Sequence, residues 1–148
     1  MRAGLVTVCA LMALWGGFGP APAAAKEQHF SAEANGQISF VMPSNNIGCI
    51  YTAKGGTSTY EPVDGGPELS CDRIQPSYVN VVLGPKGPAK LTENPGEQAC
   101  CSGGNVLAYG NSVHFDGFMC NSSSAGLTCE TPDKRHGFCV AKSRMLHY

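Results

Sequence analysis

Apolar residues fall two apart at Ile38, Phe40 and Met42, the alternation of a strand with one face buried. Similar short runs follow along the chain, each cut off by Gly, Pro, Asn or Asp. Pro43-Ser-Asn-Asn46 reads as a tight turn, and Asn45 and Asn46 tolerate the left-handed backbone that such turns use. Strands are predicted over residues 36–42, 47–53, 68–74 and 78–83, with 60–67 as loop and 85–88 as turn. Residues 90–93 are too short to assign. Further strands are predicted over 98–102, 105–109, 112–121, 126–131 and 138–146. No window places apolar residues at i, i+3, i+4 and i+7 over three turns, so helix should be scarce. Neither an internal repeat nor a second domain is evident. The expected fold class is all-β: a small, disulfide-linked, antiparallel sandwich or barrel-like domain.

The candidate core runs from Phe40, Ile47, Ile50 and Tyr51 through Val79, Val81, Leu83, Leu107 and Tyr109 to Phe115, Phe118, Leu127, Phe138, Val140 and Met145. That fills one modest core, while 19 Gly and 10 Pro lengthen the loops and raise the entropy lost on ordering them. Disulfides would offset part of that loss.

Before the first strand the pattern is of another kind. Met1-Arg2 carries one positive charge, the stretch from Leu5 to Leu14 is apolar apart from Thr7, and small residues at Ala23 and Ala25 follow Gly and Pro. This is the order of a secretory signal peptide, expected to span residues 1–25 with cleavage near Ala25. The apolar stretch is about half the ~20 residues of a permanent membrane span. Cys9 lies inside it and follows Val8, where a lipoprotein signal needs a small residue. The expected organisation is then a leader (1–25), a flexible N-terminal arm (26–35) and a single β-rich domain (36–148), secreted or periplasmic. The only tryptophan, Trp15, departs with the leader.

Charge excludes one class of partner. Charged residues make up 14% of the chain and the net charge is −1, which becomes −2 once Arg2 is lost. A nucleic-acid surface needs clustered Lys and Arg, so no nucleic-acid partner is expected.

Seven cysteines remain after the leader, at 49, 71, 100, 101, 120, 129 and 139. Their separations of 22, 29, 1, 19, 9 and 10 contain no Cys-x2–4-Cys pair, so zinc is not expected, nor any cofactor. An oxidising compartment makes a disulfide framework the default. Cys120 and Cys129 flank the turn formers Asn121-Ser-Ser-Ser-Ala-Gly126, as in a hairpin stapled across its arms. Cys49 and Cys71 bracket a Gly/Pro/Thr-rich excursion whose base they would tie. Of the rest, Cys101 or Cys100 is expected to reach Cys139. The remaining one is a free thiol, an intermolecular link or half of a vicinal bridge.

The C-terminal third carries Cys120-Asn-Ser-Ser-Ser-Ala-Gly-Leu-Thr-Cys129, then His136-Gly-Phe138 and Ser143-Arg144. Pro43-Ser-Asn-Asn-Ile-Gly-Cys49 and Leu107-Ala-Tyr-Gly110 precede it. In this order the blocks resemble a family of small secreted bacterial domains of unknown function. That family has a Pro-Ser-Gly-Asn-Ile-Gly-Cys opening, a Leu-x-Tyr-Gly step, a Gly-Leu-Thr-Cys step and a Gly-His-Gly-Phe-x-x-Ser-Arg ending. Here Asn45 stands in place of the Gly of the opening, and Arg135 in place of the first Gly of the ending. A middle Cys-Asp-Leu-Asp-Trp-Gly block is replaced by residues 76–97. In the family that block's cysteine is the candidate partner of the one matching Cys101. Its loss here, with Cys100 and Cys139 gained, implies rewired pairing. The resemblance implies a secreted, disulfide-linked β domain and carries no activity with it.

Candidate chemistry is sparse. His136, in a turn beside Asp133, suits acid–base or ligand chemistry, or simply bonds its own loop. Arg144 suits an anion, or an internal pair with Asp72 or Asp116. A thiol at Cys100 or Cys101 with His114 or His136 would make a nucleophile and base, which the oxidising compartment disfavours. Ser122-Ser-Ser124 lacks the Gly-x-Ser-x-Gly setting of a serine hydrolase. Asn45, Asn46, His136 and Arg144 are therefore the candidate recognition residues. The expected function is a non-enzymatic binding or structural module of the bacterial envelope or exterior, with an envelope or extracellular protein or glycan as partner. The alternative is a small enzyme or metal binder using His136 with Arg144, Asp133 or a spare thiol. Convergence of His136, His114 and a carboxylate on one cleft would favour the alternative.

Overall fold

The computed structural model describes residues 24–97 and 104–148. Among these residues there are twelve strands and no helix. They are β1 (Glu27–Gln28), β2 (Ile38–Val41), β3 (Ile47–Thr52), β4 (Glu68–Arg73), β5 (Val79–Leu83), β6 (Lys90–Glu93), β7 (Asn105–Val106), β8 (Ser112–Phe115), β9 (Phe118–Ser123), β10 (Gly126–Glu130), β11 (Gly137–Val140) and β12 (Met145–His147). Two six-stranded sheets result, ordered β6-β5-β4-β3-β2-β7 and β1-β8-β9-β10-β11-β12. Alternate residues of both sheets enter one core: Phe40, Cys49, Leu69 and Val81 from the first, Val113, Cys120, Leu127 and Phe138 from the second. Phe115 of β8 stacks on Tyr51 of β3 with ring centroids 4.6 Å apart, joining the sheets. The fold is the small all-β, disulfide-linked domain that the alternation predicts.

Although no repeat is evident in the linear sequence, the topology repeats. Strands β2 to β6 form one antiparallel meander and β8 to β12 another. In each, a disulfide links the second strand to the third across directly paired residues, Cys49–Cys71 and Cys120–Cys129, both with Cα atoms 4.1 Å apart. The third strands read Leu69-Ser-Cys-Asp72 and Leu127-Thr-Cys-Glu130. In both, Leu and Cys enter the core and the acid lies on the outer face, buried, where it accepts a tyrosine hydroxyl. Tyr78 donates to Asp72 Oδ1 at 3.1 Å and Tyr148 to Glu130 Oε1 at 2.7 Å. The short strand that precedes each meander crosses to the other one. β1 pairs in parallel with β8, and β7 in parallel with β2. This exchange ties the halves into one unit.

Several expectations need correction. Residues 26–35 are no free arm: β1 joins the second sheet, Gln28 bonds Val106 O, Ala108 N and Asn111 Nδ2, and Phe30 stacks on Phe40 at 5.9 Å. The expected strand over 112–121 is a hairpin, since Asp116-Gly117 reverses the chain with Gly117 at φ 91°. The expected strand over 138–146 likewise splits, closed by Ala141 N–H donating to Arg144 O at 2.8 Å. Arg144 therefore sits in a turn rather than within a strand. Residues 90–93 do form a strand. Tyr109, expected in the core, is 45% exposed, whereas Met42, Leu69 and Val113 are core. The strand expected over 98–102 lies outside the described residues.

Candidate functional site

The connections cluster at the two ends of the sandwich. At one end the turn after β2, the turn after β4, the segment after β7, the β9–β10 turn and the β11–β12 turn enclose a cavity of about 440 Å³. Met42, Ile47, Ala125 and Ala141 supply apolar walls, while Ser44, Asn46, Gln75 and Ser124 supply polar groups. Tyr109 stands at its edge, and Lys142 is its only charged residue among the described residues. Behind Ala141 lies Arg73, which is 6% exposed. It donates from Nη1 to Ala141 O at 3.0 Å and from Nη2 to Ser77 O and Oγ, and its buried Nε meets no acceptor. Among the described residues no carboxylate lines the cavity, so Lys142 on its wall, with the buried Arg73 behind Ala141, gives it positive character. The blocks quoted above (Pro43 to Cys49, Leu107 to Gly110, Gly126 to Cys129) each contribute a wall residue: Asn46, Tyr109 and Gly126.

The sequence-derived candidates divide accordingly. Asn45 adopts φ 54° and its N–H donates to Met42 O, so it serves the turn. Asn46 also lines the cavity, but its amide is engaged: Nδ2 donates to Gln75 O at 3.0 Å and Oδ1 accepts from Gln75 N at 2.8 Å, clamping two turns together. Arg144 is half-buried in the same β11–β12 turn as Lys142 but does not line the cavity. Tyr109, expected in the core, stands instead at the cavity, and Lys142 was not singled out because a turn lysine carries no pattern of its own.

His136 lies at the opposite end. It shares a notch of about 330 Å³ with Asp116, Thr131, Asp133, Pro67, Pro85 and Pro132. Thr131 Oγ1 donates to Asp133 Oδ1 at 2.6 Å, and Arg135 N–H donates to the same oxygen at 3.1 Å. These two bonds hold the Asp133 carboxyl below its ordinary value, with lesser help from the charges of Arg135 and His136. His136 N–H in turn donates to Thr131 Oγ1 at 3.3 Å, so the loop largely bonds itself. His114 is absent from this notch; it lies exposed on β8. Among the described residues no three of His, Cys, Asp and Glu are grouped to hold a metal.

Cys139 projects from the outer face of β11, is 2% exposed and is disulfide-bonded. The expectation that Cys101 or Cys100 is its partner, and the fate of the other thiol, lie outside the described residues. So do residues 1–23 of the leader expected over 1–25. No helix among the described residues is long and apolar enough to cross a membrane. No family model, curated protein or solved structure matches this chain.

Proposed function

We propose that this chain is an exported, non-enzymatic binding module of the bacterial envelope or exterior. It takes an apolar group flanked by an anionic one into the cavity at the turn end of the sandwich. The observation that carries this reading is the make-up of that cavity among the described residues: apolar walls, a few polar groups, one exposed aromatic and one lysine without a carboxylate. Recognition through turns on a rigid, stapled frame is a common use of such architecture. Export is supported by the leader pattern over residues 1–25 and by disulfides, which persist in oxidising compartments. The enzyme or metal-binding alternative, His136 with Arg144, Asp133 or a spare thiol, draws on the His136 notch, which holds Asp133 but not Arg144. It is the weaker reading, because Asp133 is already bonded to its own loop and His114 lies elsewhere.

Capture from bacterial envelope extract by the immobilised, disulfide-intact protein tests the proposal. A partner retained by the wild type should bind about tenfold more weakly to a Tyr109→Ala, Lys142→Glu variant. Equal capture by both proteins, with quantitative mass spectrometry as readout, would remove the cavity from consideration.

A further inference from the structure

A second concavity, away from the turn-end cavity, lies on the outer face of the first sheet. Its floor is made by side chains of β4, β5 and β6, among them Ser70, Asn80, Lys90 and Thr92. The 53–67 excursion forms one wall and the β5–β6 turn the other, enclosing about 390 Å³. Its charges balance, with Asp64 and Glu68 against Lys86 and Lys90. Among the described residues no salt bridge joins any two of these four. Two of the large exposed apolar side chains, Tyr60 (42%) and Val63 (95%), stand on the lip.

The aromatic is held in place. Tyr60 donates its hydroxyl to Glu68 Oε1 at 2.6 Å, and its N–H donates to Thr57 Oγ1 at 3.1 Å. Thr57 N–H donates to Tyr60 O at 2.7 Å, and Gly55 N–H to Gly65 O at 2.8 Å, closing the excursion on itself. Gly56, at φ +75°, lies so close that a Cβ there would stand 2.5 Å from Tyr60 O. The bond to Glu68, with some burial, pushes the Tyr60 phenol up to about 12, so it remains a neutral donor at neutral pH. A pre-positioned ring loses little freedom when a ligand stacks on it.

From this geometry we infer that the groove is a binding site for a neutral oligosaccharide. The Tyr60 face receives the C–H side of a sugar ring, since the aromatic face carries negative partial charge and C–H edges positive. Asp64 and Glu68 accept from sugar hydroxyls, while Lys86, Lys90 and Asn80 donate to them. A floor of mixed donors and acceptors with no net charge suits a polyhydroxylated ligand without formal charge. A strongly anionic polymer would meet two carboxylates. This site is separate from the turn-end cavity, and the inference stands or falls independently of the proposed function.

The test uses the purified, disulfide-intact protein titrated with chitohexaose, cellohexaose and maltohexaose, with heparin as an anionic control. Tyrosine fluorescence or amide chemical shifts serve as the readout, since the chain without its leader contains no tryptophan. At least one neutral hexasaccharide should bind in the micromolar-to-millimolar range. Tyr60→Ala should weaken it about tenfold or more, and Asn80→Ala less, with both variants still unfolding cooperatively above the titration temperature. Tyr109→Ala should leave this binding intact. Heparin binding alone, no binding of the three neutral probes at millimolar concentration, or equal binding by wild type and Tyr60→Ala overturns the inference. Should Tyr60→Ala fail to fold, Lys90→Ala with Thr92→Ala on the exposed edge strand provides the same comparison.

Discussion

Between β3 and β4 the chain makes the 53–67 excursion, whereas between β9 and β10 it reverses through Ser124 and Ala125 alone. Around these unequal connections the two meanders are built alike: the same strand order, the same cross-strand disulfide position and the same outer-face pairing of a buried acid with a tyrosine. The shared parts are those that make a stable half-sandwich. The first meander's connection carries an exposed aromatic and walls a groove, whereas the second's adds only small side chains, Ser124 and Ala125, to the turn-end cavity. The difference teaches that the repeated frame supports stability and the unequal connection is free to carry recognition, because a loop tied at its base by Cys49–Cys71 can vary without disturbing the ladder.

The disulfides give the largest test of this comparison. On the chain-entropy model, bridges separated by 22 and 9 residues differ in worth, at about 3.4 and about 2.6 kcal/mol respectively. Removing Cys49 and Cys71 together should therefore lower unfolding free energy more than removing Cys120 and Cys129. All four cysteines are buried, so the core penalty is similar and largely cancels. Equal losses, or the reverse order, in urea titrations would show that loop length does not set the balance between the halves.

A smaller effect is expected on the outer faces. Tyr148→Phe removes a hydroxyl bonded to Glu130, which is only 9% exposed, and should cost about 1–3 kcal/mol. Tyr78→Phe should cost less, because Asp72 keeps the Asn80 amide at 3.0 Å. Matched denaturation curves that show Tyr78→Phe to be the more harmful would break the equivalence of the two acid–tyrosine pairs.

The smallest effect is in alkali. Burial first, then the Glu130 bond, raise the Tyr148 phenol above its ordinary value; burial and Asp116 raise Tyr51, and the Glu68 bond raises Tyr60 to about 12. Above about pH 10 the unfolded chain releases these protons while the native state retains them, so stability falls as pH rises. The stabilisation is complete below that pH, and the Tyr60 share is lost by about 12. Melting temperature between neutrality and pH 11 should decline, less steeply in Tyr148→Phe. A flat profile would mean that the second half's pair does not hold its proton in this way.

Much of the frame was legible because it depends on local features. Period-two alternation and dense Gly and Pro announce short strands, and turn formers between Cys120 and Cys129 announce a hairpin. The hairpin at Asp116-Gly117 was present in the sequence as a turn dipeptide and as a change of phase, from Val113 and Phe115 before it to Phe118 and Cys120 after it, but the apolar residues on both sides read as one run. The repeat was hidden for another reason. Leu69-Ser-Cys-Asp72 and Leu127-Thr-Cys-Glu130 match, but connections of unequal length separate their surroundings and erase any fixed period. Of the candidate recognition residues, Asn45 and Asn46 proved to hold turns, and His136 sits in a loop that bonds itself.

By itself the sequence determined the strand-rich class, the apolar faces and the cysteines available to staple them, because side-chain period and turn chemistry act over a few residues. Tertiary structure alone decided that β1 and β7 exchange between halves, that Tyr109 and Lys142 meet in one cavity, and that Tyr60 stands over a charge-balanced groove. Those outcomes join residues as much as 100 positions apart through sheet register and packing. No local pattern encodes such meetings, since each residue would read the same wherever the far strand came to rest.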